Sequence, residues 1–157
     1  MTANVPKWWN AGRLASTRPN IVLIMLGTND IDINDNVADA PNRIKKLVNT
    51  ILAQVGPSDP HPAIFVAQIP PNGSADRAQR VVDFNNALPA VIATLRKERK
   101  DVTVVDQFSL INANRGGLMR DALHTNTAGN GVLASQWVKA IKTRFATPGS
   151  PPPPLDR

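Results

Sequence analysis

Apolar positions along the chain follow two alternating periodicities. Three short stretches are apolar almost without interruption, as in strands buried on both faces of a sheet, and they cover residues 21–26, 63–69 and 102–106. Elsewhere the apolar residues recur every three or four positions, which predicts helices over about 39–54, 76–100 and 127–145. Strands that alternate with helices indicate an α/β fold with a parallel sheet and right-handed crossovers.

The first predicted strand runs into the polar sequence Gly-Thr-Asn-Asp, which begins at Gly27. In parallel α/β sheets the functional groups lie at the carboxyl ends of the strands. Gly27 permits a backbone conformation that other residues resist. Asn29 carries a neutral amide with two N–H donors, which suits an oxyanion hole. An asparagine after a strand is nevertheless more often an ordinary turn residue.

A second polar motif, Asp-Ala-Leu-His, stands just before the last predicted helix. A turn of this spacing can bring the carboxylate of Asp121 to the Nδ1–H of His124, leaving Nε2 to take a proton from a nucleophile. Asp-x-x-His also occurs often by chance, with a merely solvated histidine. His61 is in a loop-like context, and neither histidine has partners at metal-ligand spacing, so no metal site is predicted.

Together the two motifs, in this order, resemble those of the SGNH (GDSL-type) esterase and lipase family. The resemblance extends from about residue 20 to 145. "IVLIMLGTND" is similar to the family's Gly-x-Asn-Asp block, "DALHTNTAGN" to its Asp-x-x-His block, and "VVDFNNALPAVIATL" to the helix between them. Within the family the chain most resembles small carbohydrate esterases of the acetylxylan-esterase type. Thr125 departs from the pattern, since the family usually has proline after the histidine.

The resemblance implies a flavodoxin-like three-layer α/β/α sandwich with a parallel sheet. It also implies that Asn29 is an oxyanion donor shaped by Gly27, that Asp121 orients His124, and that His124 is the general base. The implied activity is hydrolysis of carboxylic esters through an acyl-enzyme, without a cofactor. The implied substrate is a small ester or an acetylated carbohydrate.

The family's nucleophile is a serine in a Gly-Asp-Ser motif ahead of the Gly-x-Asn-Asp block, and this sequence contains no Gly-Asp-Ser. We therefore expect a domain that lacks the family's first βα unit and is weakly active or inactive alone. Two alternatives stay open: a non-catalytic binding or assembly module on the same fold, and an active esterase with a relocated serine. Ser74, which follows the second strand, is the candidate for relocation, although a helix cap suits it better.

Composition and charge limit the number of domains and the kinds of site and partner that the chain can have. The 157 residues, 42% hydrophobic and 19% charged, fit one globular domain over 1–146, followed by a proline-rich linker or disordered tail over 147–157. The absence of cysteine excludes disulfides, zinc–thiolate sites and a cysteine nucleophile. The net charge of +6 is scattered and the aromatic content is only 4%, which does not favour a nucleic-acid partner.

Neither a membrane span nor a signal peptide is predicted. No apolar run approaches the roughly 18 residues that a spanning helix needs. The N-terminal sequence lacks the apolar middle of a signal peptide, while the resemblance and the proline-rich tail indicate a secreted parent protein.

The missing βα unit also bears on assembly. In the family that the chain resembles, the strand from Ile21 to Leu26 pairs on one side with the nucleophile strand. Without that neighbour, six consecutive apolar residues with no charge or proline would form an unprotected sheet edge. Such an edge can pair with the same strand of a second copy, be covered by the segment Lys7–Leu14, or aggregate. We expect pairing with a second copy, giving a homo-oligomer, because Lys7–Leu14 is better suited to a short helix than to a pairing strand.

Overall fold

The computed structural model describes residues 16–56 and 59–146. Within them, three parallel strands form one sheet in the order β1-β2-β3: β1 Ile21–Ile24, β2 Ala63–Ala67 and β3 Val102–Val105. Every residue of the central strand β2 is buried, which explains why its sequence is apolar throughout. In the register, Ile24 is beside Val66 and Val66 is beside Val104, so the three strands end at the same edge of the sheet.

The described helices follow the strands in regular alternation. They are α1 Thr28–Asp32, α2 Ala40–Leu52 after a 3-10 turn at Val37–Asp39, α3 Ala75–Lys97, α4 Ser109–Ala113, α5 Arg115–Leu118 and α6 Thr127–Ala146. None of these helices combines the length and apolar character needed to cross a bilayer.

The helices cover both faces of the sheet. On one face, α2 and α3 bury apolar side chains, among them Ile44 and Phe84, against the strands. On the other face, α6 packs Trp137 and Ile141 against a smaller cluster around Phe65. The three layers confirm the α/β/α sandwich that the resemblance implied.

Several local features differ from the sequence prediction: β2 ends at Ala67 rather than at residue 69, α3 ends at Lys97 rather than at residue 100, and α4 and α5 were not predicted. The first strand ends at Ile24 rather than Leu26, because its pairing with β2 stops at Ile24. The expected turn at Asn29 is the short helix α1, which begins directly after Gly27. Gly27 has φ 127°, a left-handed conformation that side chains disfavour, and this lets the chain turn sharply from strand to helix. The segment Lys7–Leu14 and the predicted proline-rich tail over 147–157 lie outside the described residues.

Candidate active site

The carboxyl end of β1 presents an exposed amide. Asn29 lies in the first turn of α1, which is closed by a 3.0 Å hydrogen bond from Ile31 N–H to the Gly27 carbonyl. The side chain of Asn29 is exposed, and it forms no hydrogen bond with any residue that the structure describes. Its two N–H donors are therefore available to a ligand at the edge of the sheet.

A buried ion pair fixes the backbone beside Asn29. Asp30 is 3% exposed, and its Oδ1 accepts a 2.7 Å hydrogen bond from Nη2 of Arg43 in α2. The same guanidinium donates to the carbonyls of Asp35 and Asn36, at 2.9 and 3.0 Å. Asn34 and Asn36 both have positive φ, which asparagine tolerates better than most residues. Arg43 thus ties α1 and the loop that follows it to α2.

The second polar motif forms the expected Asp–His pair. Nδ1 of His124 lies 3.0 Å from both carboxylate oxygens of Asp121. The backbone N–H groups of Leu123 and His124 donate to Oδ1 of Asp121 at 2.8 and 2.7 Å. These two bonds, with a further contribution from the His124 ring, hold the pKa of the Asp121 carboxyl well below its ordinary value. The ionised carboxylate of Asp121 accepts a hydrogen bond from Nδ1–H of His124, and this favours the tautomer whose lone pair is on Nε2.

This turn is exposed and closed by its own backbone. The side chains of Asp121 and His124 are 47% and 58% exposed. Arg120 N–H donates to the His124 carbonyl at 2.8 Å, and an isolated antiparallel bridge joins Met119 to Thr125. Thr125, which stands where the resembling family has proline, therefore takes part in closing the turn.

The loop between β2 and α3 contacts both of these regions. Asn72, which is 2% exposed, donates from Nδ2 to Oδ1 of Asp32 at the end of α1, at 3.3 Å. Gly73 N–H donates to the carbonyl of Ala122, inside the Asp–His turn, at 2.8 Å. Sequence reasoning missed both residues. The Pro-Pro-Asn-Gly-Ser sequence signals a turn, and only its serine drew attention as a candidate.

Ser74, the candidate for a relocated nucleophile, lies at the N-terminus of α3. Its hydroxyl is 3.5 Å from Oδ1 of Asn72, the acceptor of its hydrogen bond, and it makes no cap bond to the helix. Among the described residues, no serine hydroxyl is hydrogen-bonded to His124, whose ring contacts Asp121. The described part of the chain also holds no group of three or more His, Cys, Asp or Glu that could bind a metal ion.

The neutral amide of Asn29 follows β1, and the Asp121–His124 pair follows β3 along the chain. These two strands flank β2 in the sheet. An imidazole oriented by a carboxylate and a neutral N–H donor are the kinds of group that acyl-transfer hydrolases use.

The family comparison identifies this class more closely. A model of the GDSL-like Lipase/Acylhydrolase family matches residues 2–132, and the chain belongs to that family. This match confirms the family resemblance drawn from the Gly-x-Asn-Asp and Asp-x-x-His motifs. No curated protein matches the chain.

Solved structures share the fold at low identity. A carbohydrate esterase family 3 protein from Talaromyces cellulolyticus is 24% identical with a TM-score of 0.70, and the match covers 93% of this chain and 66% of that one. A family 3 carbohydrate esterase from Clostridium thermocellum is 21% identical with a TM-score of 0.71, over 90% and 66%. An acetylxylan esterase from Geobacillus stearothermophilus is 16% identical with a TM-score of 0.65, over 87% and 65%. The chain thus spans just under two thirds of the length of these structures.

Proposed function

We propose that this chain supplies the general base, its orienting carboxylate and an oxyanion donor to a serine ester hydrolase that deacetylates carbohydrate. The observation that carries the proposal is the Asp121–His124 pair, with Nδ1 at 3.0 Å from both carboxylate oxygens and Nε2 directed to no described residue. Membership of the GDSL-like family supports ester hydrolysis. The names of the solved neighbours, carbohydrate and acetylxylan esterases, support an O-acetylated sugar as the substrate.

The nucleophile in this proposal is a serine from a Gly-Asp-Ser segment that is not part of this sequence. Its Oγ attacks the ester carbonyl carbon while Nε2 of His124 takes the hydroxyl proton. The carbonyl electrons move to oxygen, and Nδ2–H of Asn29 stabilises the oxyanion. Collapse of this intermediate expels the sugar alkoxide, which receives the proton from His124. Water then attacks the acetyl-serine with the same base and releases acetate.

The other side chains keep this chemistry in place. Asp121 stabilises the imidazolium that forms on His124, since its own low pKa keeps it ionised. Gly27 sets the turn that places Asn29 at the carboxyl end of β1. Two neutral donors on one amide suit a charge that appears only in the transition state.

The decisive experiment supplies the missing nucleophile. The chain alone should hydrolyse p-nitrophenyl acetate near background, with at most about 10³-fold acceleration over water from the oxyanion donor and binding. Fusing the first strand and Gly-Asp-Ser loop of a family member ahead of Met1 should give turnover and release of acetate from acetylated xylan. His124→Ala should abolish this activity, and Ser74→Ala should leave it unchanged.

Two outcomes would redirect the proposal. A folded fusion without esterase activity would favour a non-catalytic binding or assembly module on the same fold. Burst kinetics from the unfused chain, lost in Ser74→Ala, would instead identify Ser74 as a relocated nucleophile.

We also propose that the outer edge of β1 pairs with β1 of a second copy when no nucleophile strand is present. Within the described residues β1 pairs only with β2, and Leu23 on this strand is 46% exposed. An apolar edge without charge or proline favours pairing with another strand. A fused nucleophile strand would compete for the same edge.

A further inference from the structure

The loop that joins β2 to α3 lies between the two parts of the candidate site, because β2 is the central strand. We propose that Asn72 and Gly73 in this loop are positioning residues, which together hold the Asp121–His124 turn in a fixed place relative to Asn29. The catalytic meaning of that placement rests on the proposed function. The placement itself is a structural property that can be measured without any esterase activity.

The side chain of Asn72 provides the connection to α1. Its Nδ2 donates to Oδ1 of Asp32 at 3.3 Å, and Asp32 is the last residue of the helix that carries Asn29. Its Oδ1 accepts from the backbone N–H of Ser74 at 3.2 Å. The backbone carbonyl of Asn72 accepts a hydrogen bond from Nη1 of Arg115 in α5 at 3.2 Å. Because a buried amide that loses its partners costs about 1–3 kcal/mol, these bonds specify one orientation for Asn72.

The backbone of Gly73 provides the connection to the Asp–His turn. The N–H of Gly73 donates to the Ala122 carbonyl at 2.8 Å. Ala122 stands between Asp121 and Leu123, and the N–H of Leu123 donates to the carboxylate of Asp121. A Cβ on Gly73 would lie 3.1 Å from both Cα and Cβ of Ala122, closer than ordinary van der Waals contact. A side chain at position 73 would therefore push against Ala122, because the two segments approach closely here.

These contacts form a continuous path between the two parts of the site. It runs from Asp32 through Asn72 and Gly73 to Ala122, and each step is a hydrogen bond or a peptide bond. Each part also has contacts of its own: Arg43 of α2 holds Asp30 in α1, and backbone N–H groups of the turn hold Asp121. Neither of those sets of contacts connects the Asp121–His124 turn to α1.

The first test adds a methyl group at Gly73 in the chain as it exists. Gly73→Ala should displace Ala122 and shift the NMR resonances of the Leu123 and His124 amides and of the His124 ring. Loss of the Gly73–Ala122 bond should speed amide hydrogen exchange in the turn by up to about tenfold. Gly131→Ala is the matched control, because a Cβ there meets nothing within 4 Å. His61 is an internal reference in every spectrum.

The second test removes the other end of the path. Asn72→Ala should shift the side-chain amide signal of Asn29 and the ring signals of His124 together. Arg77→Ala is its control, since Arg77 also bonds to Asp32, at 2.7 Å, but has no contact with the Asp–His turn. In this control the His124 signals should stay at their wild-type positions.

The proposal fails if folded Gly73→Ala protein keeps wild-type signals across Asp121–His124, or if both Asn72→Ala and Arg77→Ala move them equally. Should Asn72→Ala not fold, Gly73→Ala alone decides. In the nucleophile-supplied fusion, Gly73→Ala should lower kcat with little change in KM, since it displaces the base rather than a substrate contact. An inactive fusion would count against the proposed function. The NMR shifts in the unfused chain would still test the positioning of the Asp121–His124 turn, because they do not depend on esterase activity.

Discussion

The two parts of the candidate site are stabilised in opposite ways. The Asn29 side depends on a buried ion pair, in which Arg43 of α2 reaches across 13 residues to Asp30 and binds two further carbonyls. The Asp121–His124 side is exposed, and the contacts that hold its carboxylate lie within one short turn, between residues two or three positions apart. One part is built by tertiary packing and the other by local backbone geometry.

This difference indicates what each part needs to remain in place. The Asn29 side should be lost when the packing of α2 on the sheet is disturbed, because Arg43, which holds Asp30, is in α2. The Asp121–His124 side should tolerate such disturbance, because the carboxylate of Asp121 is held by the N–H groups of Leu123 and His124 in the same turn. Substitutions can therefore separate the two, and the largest expected effect is on the buried pair.

Arg43→Met should destabilise the fold by about 3–5 kcal/mol, because it leaves the buried carboxylate of Asp30 without its arginine. The side chains of this pair are only 11% and 3% exposed. Urea denaturation followed by circular dichroism measures the loss. The control is Arg77→Met, which removes an arginine from Asp32, the last residue of the same helix, where the pair is 42% and 28% exposed. There the cost should stay below about 1 kcal/mol, and equal losses in the two variants would contradict the comparison.

The same difference explains how far the sequence predicted the site. The Asp121–His124 pair is encoded at a spacing of three residues, so a motif sufficed to identify the contact that the structure shows. The partner of Asp30 could not be found this way, because only the packing of α2 brings Arg43 to it. Asn72 was missed for a similar reason, since its acceptor Asp32 is 40 residues away.

At the level of the fold, the apolar periodicity predicted the three strands and the long helices. It could not show α1, which has few apolar residues and begins only because Gly27 takes a left-handed conformation. It also could not fix where strands end. β1 stops pairing at Ile24 although β2 continues to Ala67, and where pairing stops is a property of the assembled sheet.

A smaller effect is expected from acid on the exposed part. The folded-state pKa of Asp121 is depressed, chiefly by the N–H groups of Leu123 and His124. Its contribution to stability is therefore present above the unfolded value of about 3.9 and lost only as pH falls through the lower folded value. The ¹³C carboxyl resonance of Asp121 should show no protonation step between about pH 5 and about pH 3. A midpoint near the free value would mean that the turn is open in solution.

The smallest effect on the fold itself should come from the edge of β1, which belongs to the Asn29 side alone. Leu23 is 46% exposed, so Leu23→Lys should leave the unfolding midpoint nearly unchanged while its charge weakens strand pairing between two copies. Sedimentation of the wild-type chain should show a dimer or larger species, and the variant should shift toward monomer. Leu110→Lys is the control, because Leu110 is 53% exposed on α4, away from this strand.

Supplying the Gly-Asp-Ser segment should also give a monomer, since its strand competes for the same edge. A wild-type chain that stays monomeric at high concentration would reject pairing through β1 and leave the stability difference between the two parts of the site unaffected.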